Sequence, residues 1–202
     1  NLNVTTFRNG DAIPEAKTAE EWTVALANSQ PAWRWTSQHP EMQAKHGKLY
    51  NWYAITDPRN IAPVGFTLPS IEDLESLIED FRPTDRLEIP FAGYWSHEGK
   101  TGDLLQFGSS AMVWSNPNTQ EFPMVLLFKS GISRKTLANT DHGYSVRCVR
   151  EKVAEEKIDG QSWMKHNYNA VSFQNGEMIS EAKDWNEWVK AYEQGNPAWC
   201  WN

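Results

Sequence analysis

Four residues in the strand-rich part of the chain, between positions 95 and 116, have side chains suited to meeting a ligand. The indoles of Trp95 and Trp114 could stack on a sugar ring, and His97 and Asn116 could hydrogen-bond its hydroxyls. Core packing is the competing reading for both tryptophans, and it is the expectation for Trp22, Trp52 and Trp188, which sit in apolar patterns. The five histidines, at 39, 46, 97, 142 and 166, form neither an HxH nor an HExxH arrangement and lie in polar, loop-like contexts. Asp141-His142 could orient a catalytic base, but no GxSxG-type nucleophile accompanies it, so a solvated turn is expected. Calcium needs clustered oxygen ligands, and only Glu98, Asp103, Asn116 and Asn118 are loosely grouped. Cys148 and Cys200 lack metal-ligand spacing and are too few for a disulfide scaffold. No metal, no cofactor and no catalytic constellation is therefore expected, which points to a binding protein rather than an enzyme.

The background against which these residues sit is polar and acidic. The 202 residues carry a net charge of -7, spread along the chain rather than gathered in a tail. Nonspecific binding to nucleic acid or anionic membranes needs a basic face, so neither partner is expected. No run of about eighteen apolar residues exists, so no membrane span is expected. Eleven tryptophans in a chain of mean hydropathy -0.65 mean that large rings must supply much of the core.

Self-comparison is more informative than any motif. Residues 1–36 align without a gap on residues 167–202, with sixteen of thirty-six positions identical, among them Phe7/Phe173, Asn9-Gly10/Asn175-Gly176, Trp22/Trp188 and Trp33/Trp199. Unrelated segments of that length would share roughly two. The period of 166 residues is that of a globular domain repeated in tandem, far beyond the roughly 20–50 residues of a solenoid element. The chain thus reads as residues 1–153, most of one domain without its opening strand, followed by residues 154–202. That second part is the opening of another copy, or a segment completing the first or a neighbouring domain.

The elements that must position these residues follow from local pattern. Asn9-Gly10 between Phe7 and Ile13 is a tight turn. Thr18-Ala-Glu-Glu21 is a capping box, heading a helix to about Asn28 with Trp22, Ala25 and Leu26 on one face. Residues 37–47 read as loop, and 47–55 as strand or irregular packed chain. Ser70 with Asp73 caps a second helix whose stripe is Ile71, Leu74, Leu77, Ile78 and Phe81. Short strands are expected at 88–95, 110–116, 123–129 and 144–151, the last with Val146, Cys148 and Tyr144 inward. Two helices followed by short antiparallel strands and long loops make an α+β fold.

Read in order, several segments resemble the Fibrobacter succinogenes major paralogous domain, a family of surface and secreted proteins of Bacteroidota and relatives. They are the NLNV opening at 1–4, Asn9-Gly10, Gly47-Lys-Leu-Tyr-Asn-Trp-Tyr53, Gly65-Phe-Thr-Leu-Pro-Ser70, Trp114-Ser115, Gly143-Tyr-Ser-Val-Arg-Cys-Val-Arg150, Asp159-Gly-Gln-Ser-Trp-Met164 and Asn167-Tyr-Asn169. The resemblance implies a fold like that of C-type lectin domains and formylglycine-generating enzymes. It places Trp95, His97, Trp114 and Asn116 in the half where lectin-like folds present ligands. Many members carry cysteine at the positions of Arg34 and Ala62, and Cys200 stands where Arg34 does in the first copy. Cys148 is then either a buried free thiol or the partner of Cys200 in a disulfide. In the second case 144–151 would pair as a hairpin with 158–164, and residues 1–36 would sit elsewhere.

These readings converge on a secreted or cell-surface, non-catalytic repeat module that attaches, assembles as a homo-oligomer or fibre, or binds glycan or protein. The rival is a formylglycine-generating-type oxidase, active or degenerate. Its chemistry uses a pair of cysteines in the C-terminal part of the domain, where this chain has only Cys148.

Overall fold

A computed structural model describes residues 1–79, 89–97, 102–119, 122–129, 132–151, 155–158, 161–164 and 177–200. The chain divides into two compact units: Asn1–Ala62 with Phe66–Arg150, and Pro63–Gly65 with Glu151–Asn202.

The first unit begins with a turn whose Gly10 takes φ +90, flanked by an antiparallel bridge between Thr6 and Ala12. Helix α1 (Ala19–Ala27) follows. The Thr18 hydroxyl accepts the Glu21 N–H at 3.2 Å, and the Glu21 carboxylate accepts the Thr18 N–H, so two otherwise orphaned donors are satisfied. Strand β1 (Trp33–Trp35) pairs antiparallel with β2 (Lys48–Tyr50). Between them lies helix α2 (Pro40–His46), where the sequence suggested loop. Pro40 is preorganised for the first turn, Lys45 and His46 suit the carboxyl end, and Gly47 at φ +78 terminates it. Residues 47–55 likewise split into β2 and a short helix, α3 (Trp52–Thr56), started by the Asn51 side chain, which accepts the Ala54 N–H at 2.9 Å.

Strand β3 (Phe66–Thr67) leads to α4 (Ile71–Glu79), which is capped reciprocally by Ser70 and Asp73 and buries Ile71 and Leu74. Phe81 lies outside the described residues. Strand β4 (Tyr94–Ser96) pairs with β5 (Asp103–Leu105). A three-stranded antiparallel meander follows: β6 (Ser110–Trp114), β7 (Met124–Lys129) and β8 (Ile132–Leu137). Strand β9 (Val149–Arg150) returns to β3. Residues 143–145 are not a regular strand, but they tie the sheets together by single bridges, Trp95 to Gly143, Tyr50 to Tyr144 and Val113 to Ser145. Tyr144 and Val146 point inward and Cys148 is half-buried.

Around these elements a core of Phe7, Ile13, Trp33, Tyr50, Trp114, Tyr144 and Val146 forms, with a second cluster between α4 and the meander. Residues 1–36 therefore sit in their own unit. Phe7, Ile13, Trp22 and Trp33 are each at most 5 % exposed, which overturns the alternative that placed this segment elsewhere. The hairpin is also corrected. Strand β10 (Glu155–Ile158) pairs with β11 (Gln161–Met164), while 149–150 stays with β3.

The second unit continues with β12 (Ser180–Glu181), helix α5 (Trp185–Glu193) and β13 (Ala198–Trp199), with β12 and β13 parallel. The α+β class stands, with five α-helices among the described residues rather than two. No helix among the described residues is long and apolar enough to cross a membrane.

Candidate functional site

In the first unit, Arg34 on β1 and Trp95 on β4 meet beside α1. The guanidinium carbon lies 3.2 Å from the centre of the Trp95 ring. Arg34 is 8 % exposed, yet its Nε and Nη1 have no hydrogen-bond partner among the described residues, and desolvation pulls its pKa down to about 10. Stacking a cation on an indole gains roughly 0.5–2 kcal/mol. That offsets only part of the cost of burying an unpaired charge. Trp95 shares one apolar cluster with Ala16, Trp22, Ala32 and Leu49, against which Ala19 also packs. Trp22 is completely buried and its indole N–H donates to the Asp141 carbonyl at 3.0 Å. Gly143 permits the close approach: a Cβ there would fall 2.7 Å from Trp22 Cη2 and 3.3 Å from Trp95 Cβ. At the end of β4, the His97 Nε2 lies 3.5 Å from the Thr23 hydroxyl, and its Nδ1 is buried without a partner among the described residues.

The second unit repeats this place bond for bond. The Ala16 N–H donates to the Trp33 carbonyl at 2.8 Å, and Ala182 donates to Trp199 at 2.7 Å. The Trp33 indole N–H donates to the Ile13 carbonyl at 2.8 Å, and Trp199 donates to Ile179 at 2.9 Å. Thr18 and Asp184 both cap by accepting the N–H of a glutamate, Glu21 and Glu187, whose carboxylates in turn accept the N–H of Lys17 and Lys183. The parallel bridge of Glu15 to Trp33 recurs between Glu181 and Trp199. Both helices end on a left-handed residue, Ser29 and Gly195.

What differs is the covering. Trp188, the counterpart of Trp22, is 40 % exposed, and Trp185 is 75 % exposed. A cavity of about 330 Å³ opens beside α5, lined by Glu181, Ala182, Lys183, Asp184, Trp185, Trp188 and Cys200. By the repeat alignment its walls correspond to Ala16, Ala19, Trp22 and Arg34, the residues gathered around Trp95 in the first unit.

The residues that the sequence nominated as a ligand site fall apart. Trp114 is fully buried, donates its indole N–H to the Tyr50 carbonyl at 2.9 Å and meets Tyr144 edge-on, so it is core. Asn116 braces the entry to α4, its backbone N–H on the Pro69 carbonyl and its side chain near the Leu68 carbonyl. Trp95 is 7 % exposed and serves as packing, and only His97 stays beside it. Trp188 was expected in the core and is not.

Two histidines expected in solvated contexts are buried: His46, in contact with Phe107, and His142. His142 stacks on Tyr94, with Nδ1 3.1 Å from the Tyr144 hydroxyl and Nε2 3.4 Å from the Ser96 hydroxyl. Ser96 and His142 are 3 % and 6 % exposed. Glu98 lies outside the described residues, and no group of three metal-ligating side chains occurs among those described. Both cysteines are free thiols; burial pushes that of Cys148 up to about 11. The signal for the cavity was in the self-alignment, which conserves Glu181, Ala182, Lys183 and Trp188 but replaces Arg34 by Cys200. It could not reveal Trp95 as the filler.

A family model described as the Fibrobacter succinogenes major domain matches residues 1–88. No curated protein and no solved structure matches the chain.

Proposed function

We propose that the chain, whose residues 1–88 match the Fibrobacter succinogenes major domain, is a non-catalytic module of a tandem array, working outside the cell by attachment and by assembly with other copies. The observation that carries this reading is the recurrence of one hydrogen-bonding pattern at 11–34 and 177–200, buried in the first unit and uncovered in the second. An element built twice and covered once belongs to a chain of like parts. A C-type lectin-like fold and a secreted or cell-surface location accompany this reading as expectations of the family.

The oxidase rival loses support at its nucleophile. Its chemistry calls for a reactive thiolate, and the Cys148 thiol is half-buried with its pKa raised to about 11 by desolvation. Glycan binding through Trp95 and Trp114 loses support because both rings are buried.

Sedimentation velocity of the full chain over a wide concentration range tests the proposal. Mass that rises with concentration is expected, and a monomer throughout contradicts assembly. Conversion of a cysteine-containing peptide to formylglycine under oxygen with a thiol reductant would contradict the non-catalytic part.

A further inference from the structure

The cavity beside α5 has a counterpart whose occupant is known, because the homologous walls in the first unit close on Trp95. We propose that this cavity is an indole socket completed by the body of a second copy of the module, the part represented here by residues 37–150, which inserts its own Trp95. The inference rests on the repeat reading above and adds the identity of the partner surface.

Three observations support it. The backbone that shapes the socket is already formed, with the Ala182–Trp199, Trp199–Ile179 and Glu187–Asp184 hydrogen bonds in place. The side chains that would be covered are large and apolar, since Trp188 is 40 % exposed, whereas Trp22 at the same place is fully buried. Preorganised exposed aromatic surface of this kind is what a partner covers. In addition, Trp22 uses its indole N–H on the Asp141 carbonyl, so a body docked on α5 would offer Trp188 the same acceptor. A body that already holds its own opening segment has no vacancy, so this pairing is one to one along an array and is separate from the concentration-dependent association of the unextended chain.

Cys200 changes the chemistry of the socket. Where Arg34 lays a guanidinium on the indole, a thiol stands, so the second site accepts the ring without burying a charge. It also supplies a reporter at the socket wall.

Extending the full chain at Asn202 with a second copy of residues 37–150 tests the proposal, because the repeat alignment joins them in register. The expected result is a second cooperative unit in which Trp188 resists acrylamide quenching and Cys200 reacts with Ellman's reagent at least tenfold more slowly than in the unextended chain, while Trp188→Ala removes that unit's transition. An extended chain that folds but leaves Trp188 and Cys200 as accessible as before overturns the proposal. Should the extension fail to fold, the unextended chain is titrated with N-acetyl-tryptophanamide. Cys200 labelling should slow by about fourfold at a probe concentration three times its Kd, with N-acetyl-valinamide inert. No slowing up to the solubility limit overturns the socket. Association of the unextended chain in the ultracentrifuge together with an unprotected socket in the extended chain would refute this inference and leave assembly standing. A completed socket in a chain that never associates would do the reverse.

Discussion

Trp22 and Trp188 occupy the same place in the two copies of one element, so replacing each by alanine should have sharply different consequences. Trp22 is fully buried, among Ala16, Leu49 and Trp95, and its indole N–H is held by the Asp141 carbonyl. Truncating a buried tryptophan costs about 3–5 kcal/mol through lost burial and the cavity left behind. Losing the indole donor while Asp141 stays in place adds about 1 kcal/mol. Trp188 is 40 % exposed, so its truncation in this chain should cost about 1 kcal/mol or less. At about 2–4 °C per kcal/mol for units of this size, the combined cost of about 4–6 kcal/mol means that Trp22→Ala lowers the main calorimetric transition by roughly 8–24 °C, while Trp188→Ala leaves it within about 4 °C. Trp22→Phe retains part of the packing while losing the hydrogen bond, so its cost should fall between those of Trp22→Ala and the parent chain. Equal shifts for Trp22→Ala and Trp188→Ala would refute the claim that one copy is covered and the other open.

Other outcomes follow from the same packing. Arg34→Met should stabilise the first unit by about 1–2 kcal/mol in urea unfolding, because it relieves an unpaired buried charge at the loss of a modest cation–π contact; a loss of stability would show that the guanidinium has an acceptor. Asn51→Leu should cost about 2–3 kcal/mol, since the Asn51 side chain accepts the N–H groups of Ala32 and Ala54 and donates to the Gln30 carbonyl; Ala32 and Gln30 are then left unmet, while the Ala54 N–H keeps its 3.2 Å bond to the Asn51 backbone carbonyl; unfolding midpoints within experimental scatter would contradict this. The Cys148 thiol, raised from 9.0 to about 11, should alkylate slowly at pH 8 and speed up toward pH 11. Because the unfolded chain ionises first, this thiol withdraws stability as pH rises from about 9, reaching roughly 2–3 kcal/mol by pH 11, and Cys148→Ala should flatten that part of the profile.

The parts of this fold that were legible in the sequence are those with local causes. Helix α1 announced itself through Thr18 and Glu21, and α4 through Ser70 and Asp73, because a cap and its stripe lie within a few residues of each other. Helix α2 did not, since SQHPEMQAKHG has no apolar stripe and its ends, Pro40 and Gly47, do the specifying. Strand β8 is not legible in the sequence because ISRKTL, an edge strand, places exposed charged residues, Arg134 and Lys135, on successive positions and shows no apolar alternation. The roles of Trp95 and Trp114 were illegible for a different reason: each is decided by a distant partner, Arg34 and Trp22 for the one, the Tyr50 carbonyl for the other. His142 reads in the sequence as a solvated turn, because its burial depends on Tyr94 and Ser96, which are distant along the chain. The repeat was fully visible, but the cavity it encloses needed three dimensions.

Amide hydrogen exchange by NMR on the full chain tests the repeated element most directly. The N–H groups of Ala182 and Asn196 and the indole N–H of Trp199 should be protected in the same pattern as those of Ala16, Gln30 and Trp33, to which they correspond bond for bond. Exchange at the free-peptide rate for the first three, with protection of the last three intact, would contradict it.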